Sequence, residues 1–280
     1  MQDIHEIQAI DVHGHYGEYS NASHPLPNQF RSGDLDVVAK RAAQANTAIT
    51  IVSPLQALTP RGNNDPIGGN NDAAACVPEY SALRFYVVID PLRKETFAQA
   101  EAMLQQSECA GIKIHPEEHL YPVKEHGRAI FEFAQKHRAV VLTHSGEERS
   151  LPGDFVPFCD DFSDVKLILA HLGCGYDGDP THQVRAIQKS KSENVFVDTS
   201  SAQSLMPHLI EWAVEEIGAG KILYGTDTPL YCTTMQRIRI DEAEIGDDAK
   251  RLILRENALR ILSLHSPSQT DESLINKSCP

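Results

Sequence analysis

The chain has 280 residues, with 25 lysines and arginines against 39 acidic residues and a formal net charge of −14 at pH 7. This acidic balance argues against general binding to nucleic acid or to an anionic membrane surface. No apolar run approaches the roughly 20 residues that span a bilayer, and residues 1–6 lack the basic and apolar regions of a signal peptide, so we expect a cytoplasmic protein.

Short apolar runs recur along the chain, and each is followed by a polar loop or a helical pattern. A run of four to eight apolar, β-branched residues bounded by turn residues is typical of a buried strand. Eight such runs predict eight strands, at residues 7–12, 48–52, 83–89, 110–114, 139–143, 166–170, 195–199 and 221–224.

Helical spacing of apolar residues follows most of these strands. Ser32 is the predicted N-cap of the first helix. Segments 16–31 and 59–71 are rich in Asn, Gly and Pro and are predicted as loops, as is 145–164, which has only a weak helical signal. The predicted helices cover residues 35–42, 72–80, 97–104, 123–137, 184–191, 205–213, 233–243 and 247–262.

Eight strands that alternate with helices indicate an α/β protein with a closed parallel barrel, the (β/α)8 TIM barrel. We expect a single domain over residues 1–262, because about 250 residues suit one such barrel and no linker interrupts the pattern. An open doubly wound sheet is the alternative, but no Gly-x-Gly-x-x-Gly follows the first strand. Residues 263–280 are polar and Ser-rich, and we expect them to form a mobile tail.

The carboxyl ends of barrel strands, with the loops after them, form the active site of such folds. Side chains alternate along a strand, so His13 and His15 point to one side and can converge on a cation. Five of the 13 histidines lie at predicted strand ends. The residues at these ends are His13 and His15 after strand one, Lys113 and His115 after strand four, His144 after five, His171 after six and Asp227 after eight.

These residue types predict a metal site. Imidazole and carboxylate ligands suit a divalent transition metal, and we expect one zinc ion, with manganese or iron as the alternatives. Such a metal lowers the pKa of its bound water toward about 7. Asp227 can then accept a proton from that water, and His171 can polarise a substrate carbonyl or protonate a leaving group.

Seven stretches carry a family resemblance: IDVHGH at 10–15, GIKIHP at 111–116, VLTHSG at 141–146, LILAHLGCG at 167–175, VFVDTSS at 195–201, YGTDTP at 224–229 and ENALRIL at 256–262. On these stretches the chain resembles the amidohydrolase superfamily of metal-dependent barrels. Within that superfamily it resembles the branch of aminocarboxymuconate-semialdehyde decarboxylase-like and γ-resorcylate decarboxylase-like enzymes. The resemblance implies that His13, His15, His144 and Asp227 hold the metal and that His171 acts as a catalytic acid or electrophile.

Lys113 determines whether the site holds one metal or two. In binuclear members of the superfamily a lysine at this place is carbamylated and bridges two metals, which is the less favoured outcome here. We expect a free lysine that binds a substrate carboxylate or pairs with an acid. His115 lies on the same strand face and is an equally open candidate to bind the substrate or a second metal. Arg61 and Arg149, in the second and fifth loops, are candidates to bind an anionic substrate, although surface arginines are more often simply solvated.

Three further predictions concern acidic residues near these strand ends. Alternation turns Asp11 toward the His13 and His15 side, where it can orient a histidine from behind. Asp198 can play a similar part at the end of strand seven. The Glu-Glu-His run at 117–119 follows Pro116 and is predicted as an exposed loop.

The expected function is therefore that of a metal-dependent hydrolase, which cleaves an amide, ester or lactone of a small carboxylated molecule. A nonoxidative decarboxylase of a small aromatic or unsaturated acid is the alternative, because it uses the same residues. A third possibility is that the chain is a catalytically inactive binding protein. The partner we expect is a small molecule rather than nucleic acid or a membrane, and a homo-oligomer is allowed.

Overall fold

A computed structural model of the chain describes residues 4–201, 205–262 and 264. Its eight strands form one sheet in the order of the chain, and every neighbouring pair is parallel. The predicted (β/α)8 barrel in a single domain is confirmed. The strands are β1 (Ala9–Tyr16), β2 (Thr47–Pro54), β3 (Leu83–Val88), β4 (Cys109–Ile114), β5 (Val141–Thr143), β6 (Leu167–Leu169), β7 (Val195–Asp198) and β8 (Ile222–Leu223).

Backbone hydrogen bonds between β1 and the segment after β8 close the barrel. The Val12 N–H donates to the Tyr224 carbonyl at 2.9 Å, and the His15 N–H donates to the Thr228 carbonyl at 2.6 Å. Gly14 also forms a parallel bridge with Thr228. The ends of β1 and β8 therefore lie side by side, although the chain separates them by almost the whole barrel.

Helices follow the strands and cover the outside of the barrel. None of those formed by the described residues is long and apolar enough to cross a membrane. A π-helical turn, Leu252–Glu256, joins the last two. The α-helices are α1 (Pro25–Arg31), α2 (Leu35–Gln44), α3 (Pro66–Cys76), α4 (Glu95–Met103), α5 (Val123–His137), α6 (Pro152–Asp161), α7 (His182–Lys189), α8 (Leu209–Ile217), α9 (Thr233–Asp241), α10 (Asp247–Arg251) and α11 (Asn257–Ile261).

Helices α1, α3 and α6 begin in segments that the sequence predicts as loops. Each of the three has a proline at its first or second position. Proline at a helix start has the right φ angle and lacks only an N–H that would have no partner there. The proline-rich composition of these segments therefore marked helix starts, and the loop prediction was wrong for these parts of the chain.

The N-cap predicted for the first helix was also wrong. Asp34, not Ser32, caps α2, because its carboxylate accepts a hydrogen bond from the Val37 N–H at 2.8 Å. The Ser32 hydroxyl donates instead to the Asn28 carbonyl at 2.7 Å, which closes the last turn of α1.

Two predicted features fall at or beyond the limits of the described residues. The tail predicted for 263–280 lies outside them, apart from Leu264. Leu205, predicted on the face of a helix, lies before α8 begins at Leu209 and is exposed.

Apolar side chains from strands around the whole barrel fill its interior below the carboxyl ends of the strands. They include Ile10 of β1, Leu142 of β5 and Ile168 of β6, and Ile261 of α11 packs in the same cluster. Because this interior is packed, a ligand can enter only above it, where the polar strand ends lie.

Candidate active site

Strand β1 carries both histidines of the first motif within its length, whereas the sequence prediction placed them just after it. Their Nε2 atoms lie 3.2 Å apart. Both side chains are nearly inaccessible, with 1% of His13 and 4% of His15 exposed. The two rings therefore converge on one point, as alternation along a strand predicts.

Asp227 lies beside this pair because the barrel closes between β1 and β8. Its Oδ1 atom is 3.1 Å from His15 Nε2 and 3.6 Å from His13 Nε2. The Asp227 backbone is in the left-handed region, with φ at 59°, and its N–H donates to the His13 carbonyl at 2.7 Å. This backbone conformation is uncommon for a residue with a side chain and often occurs at functional sites.

The hydrogen-bond partners of the two histidines show which nitrogens face the cluster as acceptors. His13 Nδ1 lies 2.9 Å from Asp198 Oδ2, and His15 Nδ1 lies 3.3 Å from the Ser53 carbonyl. Both partners only accept, so we assign the ring hydrogens to Nδ1 and the lone pairs to Nε2. Burial lowers the pKa of His15 to about 4, which keeps that ring neutral.

Two imidazole lone pairs and the Asp227 carboxylate thus point at one another. The donor atoms of His13, His15 and Asp227 all lie within 4.8 Å of each other. Three acceptors this close repel unless a cation lies between them. Nitrogen and carboxylate donors in this arrangement fit a divalent transition metal.

Lys113 supplies a cation beside the same cluster. Its Nζ donates to His13 Nε2 at 2.9 Å, and the side chain is completely buried at the end of β4. Burial lowers the pKa of this ammonium group to about 8.

His144 does not join the three converging donors. Its Nδ1 lies 3.1 Å from His171 Nε2, and its Nε2 lies 2.9 Å from Glu147 Oε1. The described residues form two groups with metal-ligand spacing. One consists of His13, His15 and Asp227, and the other of His13, His171 and Asp198. His144 belongs to neither group. The structure therefore brings together three of the four predicted ligands, and His144 lies beside His171.

Ser200 is a site residue that the sequence analysis missed. Its Oγ lies 2.8 Å from His171 Nδ1 and 3.1 Å from His13 Nδ1, and it donates to Asp198 Oδ1 at 2.5 Å. Burial disfavours the charged form of Asp198, but His13, His171 and the Ser200 hydroxyl together outweigh this and hold the pKa of the carboxyl below its usual value. The signal for Ser200 was its place two residues after Asp198, which puts both side chains on one side of an extended strand.

Asp11 contacts the backbone of the first motif rather than an imidazole. Its Oδ1 accepts hydrogen bonds from the His13 N–H at 3.1 Å and the Thr226 N–H at 3.0 Å. The Thr226 hydroxyl donates to Oδ2 at 2.6 Å. Asp11 thus ties β1 to the segment after β8, whereas Asp198 orients the His13 ring.

The prediction that 117–119 is an exposed loop was wrong. Glu117, Glu118 and His119 are all buried, with at most 6% of each residue exposed. The two carboxylates accept from the arginines proposed to bind substrate: Arg149 Nη1 lies 3.1 Å from Glu117 Oε2, and Arg61 Nη2 lies 3.1 Å from Glu118 Oε1. Two buried acids adjacent in sequence can be accommodated because each has an arginine partner.

A cavity of about 560 Å³ lies above the converging donors. A volume of this size suits a small organic molecule. Of the sequence-predicted residues, Arg149 does not line it, whereas the lining includes His13, His15, Arg61, Lys113, His115, His144, His171 and Asp227. The His115 ring stacks on the His144 ring, with centroids 4.2 Å apart. The polar lining residues that the sequence analysis did not identify as site residues include Tyr19, Asn21, Glu118 and Glu147.

The family model described as Amidohydrolase matches residues 10–264 of the chain. No curated protein sequence matches the chain. Among solved structures, 5-carboxyvanillate decarboxylase from Sphingomonas paucimobilis is 12% identical, with a TM-score of 0.70 over 92% of this chain and 99% of that one.

Two further similar structures are described as complexes with manganese. Dihydroxybenzoic acid decarboxylase from Polaromonas sp. JS666, solved with 2-nitroresorcinol, is 14% identical, with a TM-score of 0.67 over 91% of this chain and 96% of that one. 5-Carboxyvanillate decarboxylase from Novosphingobium aromaticivorans, solved with 4-hydroxy-3-methoxy-5-nitrobenzoic acid, is 12% identical, with a TM-score of 0.69 over 92% and 96%. At these identities the likeness establishes a shared fold.

Proposed function

Because the chain belongs to the amidohydrolase family, whose members are enzymes, we propose that it is a metal-dependent decarboxylase that releases CO2 from a small aromatic or unsaturated acid without an oxidant. The observation that carries this proposal is the convergence of His13, His15 and Asp227 donor atoms, within 4.8 Å of one another, at the bottom of a cavity sized for such an acid. Neutral imidazoles and a carboxylate arranged in this way are a metal-ligand set.

The choice of decarboxylation reverses the preference drawn from sequence. The site residues named for the two reactions are the same, so the sequence scarcely separates them, and hydrolysis was preferred because of the resemblance carried by the GIKIHP stretch at 111–116. The three structures described above are decarboxylases that match more than nine-tenths of this chain. This likeness supports decarboxylation, and hydrolysis of a carboxylated molecule becomes the alternative.

For the metal, we propose His13, His15 and Asp227 as ligands and keep His144 as the fourth. When bound, the metal supplies a Lewis acid that stabilises negative charge on a substrate oxygen. Manganese is the first ion to test, because two similar structures contain it. Zinc and iron follow, since the same donors bind both.

Lys113, Ser200 and His171 have different roles in the proposed reaction. In the reaction the bond from the substrate carbon to its carboxylate breaks, CO2 leaves, and a proton takes its place on the carbon. Lys113 offers a buried ammonium group to a substrate carboxylate. Ser200 holds His171 Nδ1, so Nε2 is the nitrogen that exchanges a proton with the substrate.

The experiment is a screen of the manganese- and zinc-loaded protein against hydroxylated benzoic acids and small lactones. CO2 release and acid release are followed in the same samples, and His171→Asn serves as the inactive control. Release of CO2 from an aromatic acid supports the proposal. Acid release without CO2 would instead establish the hydrolase, and a protein that binds no transition metal would reject both. The cytoplasmic location and a homo-oligomer stay predictions from the sequence.

A further inference from the structure

Arg61 lies at the wall of the cavity between two carboxylates. Its Nη2 is 3.1 Å from Glu118 Oε1 and 3.6 Å from Glu147 Oε2. Asn21 fixes this arrangement, because its Nδ2 donates to Glu118 Oε2 at 2.8 Å and its Oδ1 accepts from the Arg61 N–H at 2.8 Å. Arg61, the one arginine among the described residues that line the cavity, is therefore already engaged by protein acids.

The balance of charge on this wall is negative. Glu118 and Glu147 both line the cavity, and among the lining residues that the structure describes they are paired with Arg61 alone. The Glu118 side chain is 8% exposed, so water screens its charge poorly. A substrate carboxylate placed here would meet two carboxylates and an arginine whose charge they already neutralise.

The opposite end of the cavity attracts anions. Lys113 Nζ lies there beside His13 and Asp227, together with the donors proposed to hold a divalent metal. His144 bridges the two ends, since one ring nitrogen contacts His171 and the other contacts Glu147. His171 and Glu147 are thus separated by one imidazole ring and two hydrogen bonds, which is of the order of one substituted aromatic ring.

We propose that Glu118 and Glu147 select the substrate, an inference that rests on the function proposed above. The site takes an acid with a single carboxylate at the Lys113 end and a hydroxyl or amino donor near the two glutamates. It rejects an acid that would place a second carboxylate near them. A carboxylate accepts hydrogen bonds from such donors and repels another carboxylate. Arg61 then acts to position the two acids and does not itself bind substrate.

Glu147 is the better residue to test. Both oxygens of Glu118 have partners within 3.1 Å, at Arg61 and Asn21. Glu147 Oε2 is 3.6 Å from Arg61 and is therefore the freer acceptor. Glu148 is the next residue, carries the same charge, is exposed and is not among the described residues that line the cavity, so Glu148→Gln is a matched control.

The test is calorimetric binding of two unreactive probes, 3-hydroxybenzoate and benzene-1,3-dicarboxylate, to the manganese-loaded protein. The probes differ only in whether the ring carries a hydroxyl or a second carboxylate at the position meta to the first carboxylate. We expect the hydroxy acid to bind at least about tenfold more tightly to the unsubstituted protein. In Glu147→Gln this ratio should fall by about fivefold or more, and in Glu148→Gln it should not change.

Metal content is measured in every sample, and Glu118→Gln replaces Glu147→Gln if the latter loses its metal. Equal affinity for the two probes, binding of neither, or a ratio that both glutamine variants at the cavity leave unchanged would overturn the selection. Because no turnover is needed, this result is separate from that of the proposed function. Absence of CO2 release from every acid would reject the function and leave the measured ratio standing.

Discussion

The Ser200 hydroxyl lies 2.8 Å from Nδ1 of His171 and joins that ring to Asp198. The hydroxyl has one hydrogen, which it donates to the Asp198 carboxylate. It therefore accepts from His171 Nδ1–H and fixes the tautomer of that ring. Ser200 is a positioning residue, since it acts on the substrate only through His171.

Ser200→Ala should lower kcat by about tenfold to a hundredfold. We expect metal content and KM to change little, because His13 keeps its bond to Asp198. Steady-state kinetics and metal analysis on the same samples test this. Ser200→Thr keeps a hydroxyl and should recover most of the rate; a threonine variant as slow as the alanine variant would contradict the assignment.

His15→Ala should remove the metal together with the activity. Two ligands then remain of the three that converge, and binding at micromolar metal should weaken by more than about a hundredfold. Metal content after gel filtration is the measurement. His24→Ala, at an exposed histidine, is the control and should keep its metal. An unchanged metal content in His15→Ala would show that another set of residues binds the ion.

His144→Ala tests the one predicted ligand that lies outside the converging group. If His144 completes the metal site, the variant should bind metal at least about tenfold more weakly than the parent protein. His171→Asn should lose activity and keep its metal, because His171 is assigned to proton transfer. A variant set in which His171→Asn loses the metal and His144→Ala retains it would exchange the two assignments.

Lys113→Met distinguishes one metal from two. With a free ammonium group at this position, the parent protein and the variant should both hold one metal per chain. KM for the acid should rise by about tenfold or more, because a buried positive charge facing the substrate is lost. Two metals per chain in the parent protein and one in the variant would instead indicate a carbamylated, bridging lysine.

Arg237→Met should destabilise the fold. The buried Arg237 guanidinium donates to the carbonyls of Ile7 and Ile4, at 2.8 and 3.1 Å, and its Nε lies 2.8 Å from Asp241. Removing it takes one donor from each carbonyl and takes the arginine partner from the largely buried Asp241 carboxylate, so the free energy of unfolding should fall by about 2–4 kcal/mol. Urea titration followed by circular dichroism measures this.

Lys136→Met is the comparison for that experiment, because Lys136 and Glu101 form an exposed ion pair. Surface pairs of this kind contribute roughly 0–1 kcal/mol, so the variant should unfold within about 1 kcal/mol of the parent protein. Similar losses in the two variants would mean that burial of Arg237 does not determine its contribution.

Sequence patterns predicted the strands well and several helix starts poorly. A strand is marked by its own apolar residues, and all eight were found within a few residues of their predicted limits. Helices α1, α3 and α6 begin within segments whose Asn, Pro and Gly content is typical of loops. What stabilises them is packing against the barrel, which local composition does not record.

The sequence by itself determined the fold and the residues at the barrel mouth, because alternation within a strand and the common orientation of parallel strand ends are local rules. Only the tertiary structure decided which atoms meet. His13 and Asp198 are 185 residues apart, and the contact between them fixes the nitrogen that His13 turns to the cluster. His171 and Asp227 adopt left-handed backbone conformations that no pattern in the sequence predicts. The pairing of Arg61 with Glu118, which turns an expected anion site into a negative wall, likewise joins residues 57 positions apart, in the loops after β2 and β4.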